Sequence, residues 1–271
     1  MVLKSKIKKY LALSKINIQR ALTYRISFLT SLLAALIQLF VMFYIWKAAF
    51  SEKITLAGFT YSDMLTYLFV SQGINNIYGW YTTVERNIAY KIRTGDIALD
   101  LVKPLRFNFA RFFEVLGISF VQVFFIIIIF TVFKILVPEF RTPKSDLYLF
   151  LFLVSTFLGF LCMFSLSFLV GLMSFWTLNY WGLYYVKKSI FDFFSGAIIP
   201  LQFLPLSIQK IAVILPFKSI VFIPTLIYLG KFTIHESIFQ ILFQALWATA
   251  LWISAVLMFK LAIRKVVIHG G

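Results

Sequence analysis

Acids are scarce in this 271-residue chain: ten Asp and Glu stand against twenty-six Lys and Arg, a formal charge of +16. Charge of either sign is thin, at 13% of residues, where a soluble domain carries about 25%. Cysteine occurs once, as Cys162 inside an apolar block, which excludes an intrachain disulfide framework. The two histidines, His235 and His269, fall on opposite sides of the membrane once the spans below are drawn, so they do not build a metal site together. There is no G-x-x-x-x-G-K-[ST], so ATP is not held in a P-loop on this chain. There is no H-E-x-x-H, C-x-x-C or G-x-S-x-G either, which leaves a serine nucleophile outside its usual motif as the one open enzymatic route.

What the chain has instead is apolar surface: 61% of its residues are hydrophobic and 19% are aromatic. These fall in long blocks, and about 20 apolar residues cross a bilayer as one helix. The pattern predicts an all-α membrane protein. Residues 2–24 form an amphipathic helix, with Leu3, Ile7, Tyr10, Leu11, Ile18 and Leu22 on one face and the lysines on the flanks, which suits a helix lying in the membrane interface. Because the basic stretch is long and the following apolar run is a full span, this start does not read as a cleavable signal peptide.

Six spans are expected at about 26–49, 64–84, 112–137, 147–175, 180–199 and 238–262. Ser62 or Asp63 is the expected cap of the second. The link 138–146 holds Pro138 and Pro143, which end helices. Four of the seven prolines crowd into the still apolar stretch 200–224, so 200–236 is expected to form short re-entrant or external helices rather than a straight span. Of the Lys and Arg, eighteen lie on the side holding both termini and 85–111, and eight on the other. The positive-inside rule then puts both termini in the cytoplasm and lets the basic residues meet anionic lipid, with no nucleic-acid partner implied.

The cytoplasmic stretch 85–111 is the most informative. Ile88 and Ile92 stand one turn apart, Gly95 is placed to end a short helix, and Asp96 and Asp100 stand among six basic residues. The bland reading is a solvated loop. The sharper one is a docking helix whose charges and apolar knobs fit a cytoplasmic partner. The run Gly95-Asp96-Ile97-Ala98-Leu99-Asp100-Leu101-Val102-Lys103-Pro104-Leu105 resembles the G-D-I-A-L-D-L-[LV]-[KR]-P-L segment of bacterial ABC-2 type exporter permeases, in their viologen-exporter-like and uncharacterised subgroup. Further matches follow in order: Tyr24-Arg25, Met64 to Leu68, Phe175 to Leu183 (with Leu178-Asn179), Ser195 to Leu201, Leu215-Pro216-Phe217, Pro224 to Gly230 and Gly270-Gly271.

The resemblance implies the ABC-2 type exporter fold: an interfacial helix, six spans, a cytoplasmic coupling helix between spans two and three, and short helices before span six. It implies a permease in the bacterial cytoplasmic membrane that pairs with a second, related permease, or with its own copy. Two copies of a separate P-loop ATPase would carry ATP and Mg, with no cofactor on this chain. Arg86, Lys91, Arg93, Asp96 and Asp100 become the expected ATPase contacts. The cargo implied is a small hydrophobic or cationic compound, a lipid-linked molecule or a peptide, carried outward. An ion-coupled secondary transporter, a membrane enzyme and an assembly factor are the competing readings, against which stand the lack of an inverted repeat and of a catalytic constellation.

Two acids fall near or within spans, where ionisable groups face a bundle interior or water. Glu114 reads as a partner of Arg111 at the cytoplasmic edge. Asp192 reads equally as a boundary ion pair with Lys188 one turn away and as a group lining a path for cationic cargo. On the fourth span Ser155 with Gly159, and Ser167 with Gly171, are small-x-x-x-small pairs suited to close helix packing.

Overall fold

The computed structural model describes residues 2–23, 25–79, 81–137, 139–177 and 180–264. Pro138, Tyr24, Leu178-Asn179, His269 and Gly270-Gly271 lie outside them. Among the described residues, eleven α-helices run in the order α1 (Val2–Thr23), α2 (Arg25–Ala49), α3 (Tyr61–Ile77), α4 (Tyr81–Thr94), α5 (Ile97–Val102), α6 (Phe107–Leu136), α7 (Asp146–Met173), α8 (Tyr180–Phe194), α9 (Leu206–Ile214), α10 (Phe222–Tyr228) and α11 (Ile234–Ile263), with two 3-10 turns at Leu201–Phe203 and Pro216–Ser219. No strand occurs among the described residues.

Three described helices are long and apolar enough to cross a bilayer, over Phe107–Ile135, Asp146–Met173 and Ile234–Ile263. Their outward faces carry large apolar side chains such as Phe120 and Ile127 on α6, Phe150 and Leu153 on α7, and Phe239 and Leu246 on α11. In water such a surface would be an aggregation liability; against lipid it costs nothing. The chain is an all-α membrane protein.

Two expected spans take a different form. The second was expected over 64–84, but α3 starts earlier, at Tyr61, and stops at Ile77. Its cap is Thr60, not Ser62 or Asp63: the Thr60 hydroxyl accepts from the Asp63 amide while Asp63, at the third helical position, accepts from the Thr60 amide. The far end breaks at Tyr78 and Gly79, and a new helix, α4, starts at Tyr81. The fifth expected span, 180–199, stops at Phe194. There Gly196 takes φ 73°, and the Tyr67 hydroxyl donates to its carbonyl at 2.5 Å. At 1.5 Å per residue, α3 and α8 measure roughly 25 and 22 Å, short of a hydrocarbon core of about 30 Å.

The core is built on α3 and α7. Met64, Tyr67, Val70, Ile74 and Tyr78 of α3 are buried, and its other faces carry buried Leu65, Leu68 and Phe69, the signature of a helix surrounded by protein. The small residues of α7 each receive a neighbour. Ser155 hydrogen-bonds buried Gln244 of α11 at 2.8 Å. Gly159 takes the backbone of Ser219 and Ile220, Gly171 takes Ile88 of α4, and Ser167 lies beside Lys187 of α8. The proline-rich stretch after α8 folds back as 3-10 turns with α9 and α10, and residues 219–230 are buried against α3, α7 and α11. α1 packs along the start of α6, so closely that the Ser14 backbone stands where a Cβ on Gly117 would.

Candidate functional site

The sequence-predicted residues gather at the end of the bundle formed by α4, α5 and the start of α6. α4 is amphipathic and must cover one face. Val84, Glu85, Ile88 and Ala89 are buried, and Ile88 sits on Gly171 of α7, where a Cβ would meet it at 3.1 Å. Ile88 and Ile92 therefore face inward and are not knobs for a partner. Gly95, at φ 79°, turns the chain into α5 in the left-handed conformation that favours glycine.

Asp100 is buried at the centre of this end. Lys91 is paired with it, Lys103 reaches it at 2.6 Å and Arg111 at 3.4 Å. One carboxylate thus ties α5 to α4 and α6, and Asp100 is an anchor with no surface to offer a partner. Lys91 is largely spent on the same bond. Arg86, Arg93 and Asp96 are exposed, Asp96 accepting from the Thr94 hydroxyl at 2.8 Å. Beside them lie exposed apolar side chains that the sequence reading did not single out: Tyr90, Leu99 and Val102, the last 84% exposed. Leu99 and Val102 are i, i+3 neighbours on α5, and their apolar character flanking an aspartate that must turn inward is the signal that could have found them.

Burial alone would raise the Asp100 carboxyl; hydrogen bonds from Lys103 and Lys91 and the charge of Arg111 outweigh it and hold it below the usual carboxylate range. A carboxyl whose folded pKa lies below its unfolded value, about 3.9, contributes stability that is fully present above that value and is lost as pH falls through the folded one. The α5 amides are therefore expected to stay protected at pH 5 and to open only below about pH 4. Asp100→Asn should open them at neutral pH. Hydrogen exchange corrected for intrinsic rates checks both.

A second buried ion pair lies one layer deeper. Glu85 of α4 accepts from Lys187 of α8, and Lys187 Nζ lies 3.3 Å from the Ser167 hydroxyl of α7. Glu85 is fully buried, and burial pushes its carboxyl up against the opposing pull of Lys187. Nothing in the sequence brings the two together, because 102 positions separate them.

Of the two remaining predicted residues, Glu114 joins this end through the Arg111 that also reaches Asp100, and Asp192 stands apart from it. Glu114 pairs with Arg111 at 2.8 Å. Asp192 pairs with Lys188 on the outward face of α8, among exposed Trp181, Tyr185 and Phe193. A groove of about 670 Å³ opens between α3, α6 and α7; its walls are apolar, with no charged residue, and none of the predicted residues lines it.

A family model described as ABC-2 family transporter protein matches residues 15–270, from within α1 to beyond α11. No curated protein matches the chain.

Proposed function

The chain belongs to the ABC-2 transporter family, and from that membership we propose that it is the permease subunit of an ATP-driven exporter whose α4–α5 end docks a separate P-loop ATPase. The observation that carries the docking site is the exposed patch of Arg86, Arg93 and Asp96 beside Tyr90, Leu99 and Val102, on a base held rigid by Asp100. Apolar knobs beside charges of both signs, outside any span, suit a protein partner better than a lipid surface.

Two ATPase copies, carrying ATP and Mg, would serve a pair of permeases. The second permease, a related chain or a second copy, would lie against the outward face of α8, since the Lys188–Asp192 pair is costly to leave in lipid. The proposed setting is the cytoplasmic membrane, with both termini and the α4–α5 end in the cytoplasm. The cargo class is a small hydrophobic or cationic compound, a lipid-linked molecule or a peptide. ATP does work on such a pair only through contacts that differ between inward-open and outward-open states.

The test is gentle extraction of the tagged chain from native membranes. A soluble ATPase is expected in near-equal amount, and Val102→Asp and the pair Arg93→Glu, Asp96→Lys should each lower its recovery about tenfold to a hundredfold, as charging a central interface contact does. Full recovery with both variants would move the dock elsewhere. A wild-type chain that comes out alone would favour a secondary transporter or a membrane enzyme.

A further inference from the structure

We propose that the buried Glu85–Lys187 ion pair is the contact that passes displacement of α4 to α8, making these two positioning residues of the transport cycle. The inference rests on the reading of α4 and α5 as the ATPase dock and says where motion delivered there goes next.

The connectivity of the chain points elsewhere, to α3, since α4 follows α3 directly. The structure uncouples those two. α3 ends at Tyr78 and Gly79, and that end is fastened independently of α4: the Tyr78 hydroxyl donates to the Thr156 carbonyl of α7 at 2.7 Å, and the Ser119 hydroxyl of α6 donates to the Ile77 carbonyl at 3.1 Å. A push on α4 therefore meets a break in the helix before it reaches α3.

On its buried face α4 meets two helices in different ways. Against α7 the contact is mainly apolar packing, Ile88 and the backbone at Glu85 lying on Gly171, with the neutral Ser167 hydroxyl beside the ion pair. Against α8 the contact is a charge on a charge. An ion pair out of water resists separation far more than an apolar contact does, because each partner left alone keeps its desolvation cost. Such pairs add little net stability compared with apolar residues of the same shape, and their best-attested use is to fix registry. The Glu85–Lys187 pair fixes the registry of α4 on α8.

α8 is built to respond. Of its fifteen residues, three are buried: Tyr180, Lys187 and Phe191. Lys187 stands at the midpoint of the helix. Beyond Phe194 the chain is pinned: the Tyr67 hydroxyl donates to the Gly196 carbonyl at 2.5 Å and the Phe222 amide to the Ser195 carbonyl at 3.0 Å. A helix lightly seated along its length, pinned at its C-terminal end and gripped at its centre by a buried salt bridge turns about the pinned end as the element that grips it moves. The next residue, Lys188, points about 100° further round the helix, off the buried face, and pairs with Asp192. Any turn of α8 driven through Lys187 carries that exposed polar pair and its aromatic surroundings with it. The load path runs from the exposed knobs of α5 through Asp100 and Lys91 to α4, and from Glu85 to α8.

The experiment uses the full complex with its ATPase in lipid nanodiscs. Nitroxides are placed at Ile190→Cys on α8, on the side away from the Lys188–Asp192 pair, and at Leu246→Cys on α11, both exposed positions; Cys162 is buried and stays unlabelled. ATP with orthovanadate is the probe. In the otherwise wild-type protein the interspin distance should shift. In Glu85→Gln, Lys187→Met, which replaces the pair with neutral side chains of similar shape, the ATPase should still co-purify and hydrolyse ATP while the shifted fraction falls about tenfold, within the range of coupling between linked sites. Glu85→Gln alone keeps a hydrogen-bonding partner for Lys187 and should lower the fraction less; it carries the test if the double variant is not recovered. A wild-type shift in the variants overturns the inference. Loss of the ATPase from the double variant also overturns it, by making the pair part of the dock. A wild-type chain without any ATPase overturns the docking reading and this inference together.

Discussion

Gly159→Leu is expected to leave no monodisperse protein on extraction in mild detergent, and Gly159→Ala to lower the thermal midpoint, although alanine is the better helix former by about 1 kcal/mol. A Cβ on Gly159 would stand 2.9 Å from the Ile220 carbonyl oxygen, 2.9 Å from the Tyr78 hydroxyl and 3.1 Å from the Ser219 carbonyl oxygen. Two of these atoms are backbone, and the third is held by its bond to the Thr156 carbonyl. None is the loose end of a flexible side chain. Making room means moving the Pro216–Ser219 turn off α7, and that turn is fastened on its other side: buried Gln244 donates to the Ser219 carbonyl at 2.7 Å and to the Ser155 carbonyl at 3.2 Å. Overpacking costs about 1–3 kcal/mol and each buried polar group left unpaired about 1–3 more. Leucine therefore takes most of a folding margin of about 5–15 kcal/mol. Leu153→Ala, on the outward face of the same helix, is the control and should shift the midpoint little. Size-exclusion profiles and thermal melts of the three variants decide the matter.

The close approach at Gly159 was half legible in the sequence. Ser155, Gly159, Ser167 and Gly171 could be read as a stripe of small residues, but not which neighbour each admits, since the spacing is the same whether a helix, a turn or a charged side chain arrives. In the structure all three do. The long apolar blocks of α6, α7 and α11 were legible for a simpler reason: composition alone requires lipid over 28–30 residues. The ends of the second and fifth expected spans were not. An apolar run has the same composition whether it stays one helix or breaks at Tyr78–Gly79 or Ser195–Gly196, and what breaks it is tertiary: Tyr67 capturing the Gly196 carbonyl, Ser119 capturing that of Ile77.

At the α4–α5 end the charges could be found but not sorted. Asp96 and Asp100 look alike in sequence. They differ because Lys103 stands three positions beyond Asp100, Arg111 returns to it from α6 and Lys91 arrives from α4. Ile88 and Ile92 read as a partner-facing pair for the same reason that Leu99 and Val102 went unremarked: amphipathicity shows that a helix has an apolar face and is silent on what covers it.

Asp63→Ala is expected to lower stability by about 2–4 kcal/mol and to free the turn that follows α10, because one buried carboxylate serves two purposes at the end of the bundle opposite α4 and α5. It completes the capping box with Thr60 at the start of α3. It also receives Arg141 of the α6–α7 link at 2.7 Å and Lys231, just beyond α10, at 2.7 Å. Three segments far apart in sequence meet on one side chain, and the contacts around it follow: Lys231 also donates to the Gly58 carbonyl at 2.8 Å, and Lys144 to the Gly230 carbonyl at 2.7 Å. The two functions separate by substitution. Asp63→Asn keeps an acceptor for the Thr60 amide and loses the charge; Asp63→Ala loses both. Removing a cap costs about 1 kcal/mol. The ion pairs are unequal, since the Arg141 side chain is 51% exposed and Lys231 29%, and an exposed pair contributes about 0–1 kcal/mol. Most of the electrostatic loss should therefore come from Lys231. Lys231→Met in the Asp63→Asn background should then cost less than it does alone, as two partners of one contact do in a double-mutant cycle. Additive losses would show that the Asp63–Lys231 bond contributes nothing of its own, leaving the cap as the reason an aspartate stands at the start of α3.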